Sequence, residues 1–147
     1  MYAWQAIQES IDYIENHYQE TIDVETLASI AHLSQYYYQR LFHRLTHKTV
    51  NEYVKLRRTA MASELLKKSS KRILEIALEC GFINHSSLTR AFKEIYGITP
   101  KQYRQQKMTL DHFQKIDLSL NYTLIDQNVP LVTSQMVLEI EEHDLNH

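Results

Sequence analysis

Tyr36, Gln39, Arg40 and His43 recur at helical spacing, and fifty residues later Ser86, Thr89, Arg90 and Lys93 repeat the pattern. At about 100° per residue each set falls on one side of its helix. Tyr38, Leu41, Phe42 and Leu45 in the first stretch, and Leu88, Ala91, Phe92 and Ile95 in the second, fall on the other. The outward types suit the edges and backbone of a nucleic acid. Arg donates twice to guanine O6 and N7, Gln matches adenine, and Ser or Thr serves several bases. His43, Lys93 and the flanking Arg44 suit phosphate. A polar helix face alone is ordinarily a solvated surface. The same face, with Arg in the same place in both repeats, points to a partner that repeats along its length. Duplex DNA is such a partner.

The tyrosine run splits by phase. Tyr38 belongs in the core, and Tyr36 faces outward, where its ring can pack on a thymine methyl or a sugar. Tyr37 lies on the flank, suited either to packing or to a backbone contact.

Positioning these faces requires helices, and the chain is rich in their signals. Ile7, Ile11, Ile14 and Tyr18 mark an amphipathic helix over roughly 3–18. Asp23 caps a short second helix that turns Val24, Leu27, Ala28 and Ala31 inward, and after His32-Leu33 the next cap, Ser34, opens a third helix to about Thr46. Thr49 and Glu52 form a capping-box pattern before a long helix to about Lys68, which buries Tyr53, Val54, Met61 and Leu65. A fifth helix runs from about Lys71 to Cys80 and a sixth from about His85 to Tyr96, with Gly81 at the turn between them and Gly97 as the stop. Thr99-Pro100-Lys101-Gln102 starts a seventh helix. The expected fold is therefore all-α. Two helix-turn-helix subdomains, 1–48 and 69–107, are joined by a linker helix over 49–68. Beyond 107 the alternation of Leu118, Leu120, Tyr122 and Leu124, and the apolar run from Val129 to Ile140, read as strands. They form a short β-like tail over 108–147, too small for a sheet of its own.

The net charge of −2 hides a block structure. Residues 36–107 carry fifteen Lys and Arg against five acids, while the segments on either side are acidic. A basic block of this kind suits phosphate contacts. The single Cys80 has no disulfide partner and fits a reducing cytoplasm. No secretory leader pattern and no membrane-length apolar run is present. His43 and His47 sit at i, i+4 but lack a third ligand, so neither a metal nor any other cofactor is expected. No paired acids, nucleophile triad or phosphate-cradling loop stands out, so the chain does not read as an enzyme.

Gly81-Phe82, Leu88-x-Arg90-x-Phe92-Lys93, Gly97-x-Thr99-Pro100 and Tyr103-Arg104 follow one another without a gap, and this string resembles the AraC/XylS family of bacterial transcription regulators. The likeness extends over roughly residues 4–107. It implies that the third and sixth helices enter successive major-groove segments. Base contacts then carry to Gln35, Tyr36, Gln39 and Arg40, and to His85, Ser86, Ser87, Thr89 and Arg90. Contacts to the DNA backbone fall to Tyr37, His43, Arg44, Lys93 and Arg104. The implied protein is a cytoplasmic, nucleoid-associated regulator, an activator by family habit, binding as a monomer with RNA polymerase as its other partner. The first turn departs from the family pattern, with His32 where Gly is usual. The tail, around Asn128-Val129-Pro130, resembles the opening of the effector-binding domain of Rob-like members. That leaves a small-molecule-responsive sensor or repressor as the alternative, with an accessory hairpin for dimerisation or polymerase contact as the simpler use of the tail.

Overall fold

The computed structural model describes residues 2–119, and among these the regular structure is seven helices with no strand. They are α1 (Ala3–His17), α2 (Val24–Ile30), α3 (Gln35–Thr46), α4 (Val50–Lys68), α5 (Ile73–Glu79), α6 (His85–Tyr96) and α7 (Pro100–Gln105). The tail reading fares differently. Leu118 lies in a turn rather than a strand, and residues 120–147 lie outside the described residues.

The chain packs as two compact units. The first comprises residues 2–16, 22–50 and 115–119; the second comprises 17–21 and 51–114. The linker helix thus packs with the second unit from Asn51 onward, and the chain returns to the first unit after α7.

In the first unit Ile7, Ile11 and Ile14 of α1, Leu27 and Ala28 of α2, and Tyr38, Leu41 and Phe42 of α3 are buried. The Tyr38 hydroxyl donates to Ser10 Oγ at 2.8 Å, and Ser10 donates to Ile7 O at 2.7 Å, so the buried phenol is satisfied inside the core. The returning segment is held by the Lys115–Asp12 ion pair, 2.6 Å, and by Gln8. Gln8 Nε2 donates to Ile116 O at 3.1 Å while Gln8 Oε1 accepts from Leu118 N at 2.8 Å, and Leu118 is fully buried. The amide of Gln8 stands in for a neighbouring strand.

In the second unit the core joins Ala62 and Leu66 of α4, Ile76 and Ala77 of α5, Cys80, Leu88 and Phe92 of α6, and Tyr103 of α7. Met61 and Leu65, expected inside, are only half-buried at its margin. Phe92 packs on both Tyr96 and Tyr103, with ring centroids 4.7 and 5.6 Å away. The α5–α6 turn is tight. Gly81 takes φ +91°, and a Cβ there would stand 2.3 Å from Tyr18 O and 2.7 Å from Arg58 Nε. Arg58 itself ties residues 17–21 to α4, donating from Nε to Tyr18 O and from Nη2 to Glu20 O, each at 2.8 Å. Half-burial draws its pKa below the usual arginine value.

Candidate nucleic-acid interface

The reading helix of the first unit is α3. Ser34 caps it, accepting from Tyr37 N at 3.3 Å, and His47 ends it in the left-handed region at φ 61°. His32, at the preceding turn, is also left-handed at φ 59°, so the unit makes both bends with histidine where the second unit uses Gly81 and Gly97. His32 is the departure from the family pattern, and His47 stands fifty residues before its left-handed counterpart Gly97.

The helical phase deduced for α3 is the observed one. Gln35, Tyr36, Gln39, Arg40, His43 and Arg44 are exposed, Tyr37 is half-buried, and Tyr38 is internal. Arg40 does not stand alone. Its guanidinium carbon lies 5.1 Å from the centroid of the Tyr36 ring, and Tyr36 meets Tyr37 edge-on at 5.6 Å and 81°. The resulting stack restricts the arginine's rotamers before any ligand arrives.

The reading helix of the second unit is α6. Asn84, just before the helix start expected at His85, is its N-cap. Its Oδ1 accepts from Ser87 N at 2.8 Å and from the Ser87 hydroxyl at 2.9 Å. Ser87 is half-buried and its hydroxyl proton is engaged at the cap. Thr89 is also half-buried, its Oγ1 3.5 Å from His85 Nδ1. His85, Ser86, Arg90 and Lys93 are exposed.

A further ion pair flanks this face. Lys55 of α4 meets Glu94, one turn beyond Arg90, at 2.5 Å. Hydrogen bonding to Lys55, aided by its charge and more weakly by that of Arg90, holds the Glu94 carboxyl below the ordinary range. Lys55 and Glu94 are thirty-nine residues apart in sequence, with no local pattern to link them.

Arg104, expected at the DNA backbone, is engaged at the end of α4. Nε donates to Leu66 O at 3.1 Å, Nη1 to Lys71 O at 2.6 Å and Nη2 to Ser69 O at 3.3 Å. Carbonyls left open at a helix C-terminus attract a cation with several donors. Beside it Lys67 donates to Tyr103 O at 2.8 Å and lies 4.3 Å from the centroid of the Tyr103 ring. Part of the basic block is thus structural mortar. Even so, the second unit carries twelve Lys and Arg against seven Asp and Glu, whereas the first carries four against six among the described residues.

Two helical units, each presenting an exposed polar and basic helix after a short turn, define a helix-turn-helix protein. A family model described as "Helix-turn-helix domain" matches residues 27–106. The regulatory protein SoxS of Salmonella typhimurium is 30% identical over 102 residues, covering 69% of this chain and 95% of that protein. The HTH-type transcriptional regulator YbfP of Bacillus subtilis is 35% identical over 71% of this chain, but only 35% of that protein is covered. Among solved structures, the DNA-binding domain of the global transcriptional factor AdpA in complex with a target DNA superposes with TM-score 0.64 at 32% identity, covering 67% of this chain and 88% of that one. The chain belongs to the AraC-type helix-turn-helix family. The match takes in nearly all of SoxS. No helix among the described residues is long and apolar enough to cross a membrane.

Proposed function

We infer that this chain is a sequence-specific DNA-binding transcription regulator that reads duplex DNA through α3 and α6. One observation carries the reading: α6 presents Arg90 exposed on a unit with a net charge of +5. The likeness to a domain solved on its target DNA supports the same orientation. Arg90 is the central base contact, flanked by His85, Ser86 and Thr89, with Lys93 on phosphate. In the first unit Arg40 on its tyrosine stack, Gln35, Gln39 and Tyr36 form the second reader, and Tyr37, His43 and Arg44 meet the backbone. The net positive charge of the second unit anchors the complex. The first unit, with its acidic balance, adds discrimination more than affinity.

The protein acts as an activator that engages RNA polymerase once seated on DNA, and it works in the cytoplasm at the nucleoid. Selection from a pool of randomised duplexes tests the reading directly. A reproducible asymmetric site is expected. Arg90→Ala then lowers affinity for that site by about 1–3 kcal/mol and relaxes preference at one base pair. Equal weakening on every duplex would make Arg90 a phosphate clamp, and failure to enrich any sequence would refute the assignment.

A further inference from the structure

The turns of the two helix-turn-helix units differ by one residue, and the extra residue is apolar and bare. In the first turn Ala31 closes α2, His32 bends left-handed, Leu33 N donates to Ala28 O, and Ser34 caps α3. In the second, Cys80 closes α5, Gly81 bends left-handed, Phe82 N donates to Ala77 O, and Asn84 caps α6. Leu33 matches Phe82 and Ser34 matches Asn84, so Ile83, lying between the latter pair, has no counterpart. Its relative exposure of 86% is the highest of the exposed large hydrophobic residues among the described residues.

Folding gives no reason for an isoleucine there. Gly81 makes the bend, Phe82 packs against the core, and Asn84 satisfies the first amides of α6. A branched aliphatic side chain left in water gains nothing from burial. Its position is informative, since it adjoins the exposed His85 and Ser86 at the leading end of the reading helix. In helix-turn-helix proteins this end contacts base edges. The major groove offers one apolar group to such a side chain, the C5-methyl of thymine.

We propose that Ile83 is a specificity-determining residue that packs against a thymine C5-methyl beside the bases met by the start of α6. The inference rests on the DNA-reading role of α6. It gives the second unit an apolar selector that the shorter turn of the first unit has no residue to supply.

The test is a thermodynamic cycle on the full chain and its selected duplex. Each thymine is replaced in turn by deoxyuridine, which removes only the methyl group, and affinity is measured for the unsubstituted protein and for Ile83→Ala. One deoxyuridine is expected to weaken the unsubstituted protein about 3–10-fold, a range set by the loss of roughly one buried methyl group. The same duplex is expected to be indistinguishable from its thymine parent for Ile83→Ala, and Ile83→Val retains part of the effect. Unchanged thermal melts verify that the variants fold, as substitution of so exposed a residue predicts. If no deoxyuridine affects the two proteins differently while Arg90→Ala still relaxes base preference, the proposal alone is overturned. If Ile83→Ala leaves DNA affinity intact and lowers transcription, the residue faces a protein partner and the proposal is likewise overturned. Loss of all sequence preference in the unsubstituted protein would overturn the reading beneath it as well.

Discussion

Replacing Arg104 by Gln separates the DNA-backbone contact expected from the sequence from the helix-end contacts the fold supplies. Its three guanidinium nitrogens hold carbonyls of Leu66, Ser69 and Lys71, at the end of α4 and in the segment after it. Bonds from a charged donor contribute about 1.5–3 kcal/mol each when shielded from water. Arg104 is half-exposed, so water can replace part of each bond, and about 1 kcal/mol apiece is the appropriate scale. Gln recovers at most one of them, leaving a loss of about 2–3 kcal/mol. For a unit of this size that corresponds to a fall of roughly 10–20 °C in the melting midpoint. The measurement is a thermal melt followed by far-UV circular dichroism, with hydrogen exchange at the amides of α7 to localise the loss. DNA affinity is then measured against salt well below the melt, where the slope should equal that of the unsubstituted protein. A variant that melts normally but loses about 0.9 from the salt slope would refute the capping role and return Arg104 to the phosphate backbone.

The two turn glycines should respond differently to alanine. Gly81→Ala forces a Cβ onto Tyr18 O and Arg58 Nε and should destabilise by about 3 kcal/mol, whereas Gly97→Ala, with φ +80° and nothing within 4 Å, should lose about 1 kcal/mol by denaturant titration. His47→Gly removes a side chain from the left-handed end of α3 and should stabilise the first unit by about 0.5–1 kcal/mol, read from Trp4 fluorescence during denaturation. Cys80 is fully buried, and burial, together with the adjacent Glu79, pushes its thiol from an ordinary 9.0 up to about 12. The folded thiol then stays protonated while the unfolded one ionises, so this group's contribution to stability falls as pH rises from about 9 toward 12. Native protein at pH 8 should react with a disulfide reagent only as fast as it opens, and a rapid stoichiometric reaction would contradict the burial.

Much of this molecule is local, and local features were legible in its residues. Helix phase depends on a repeat of about 100° per residue, so the sequence alone separated Tyr38, Phe42, Leu88 and Phe92 from Gln39, Arg40, Ser86 and Arg90. Caps depend on side chains within three residues of the amides they bind, which made Asp23, Ser34 and the Thr99–Gln102 box readable. Charge is not local in this sense. Whether a basic side chain meets solvent, a carboxylate or a helix end depends on what the fold brings beside it. Only the tertiary structure could place Arg58 on Tyr18 O, Lys55 on Glu94 and Arg104 at the end of α4, across separations of 33–40 residues. The same holds for the backbone of Ile116 and Leu118, which is met by the amide of Gln8, more than a hundred residues away. The sequence determined which faces exist; the fold decided which charges remained available on them.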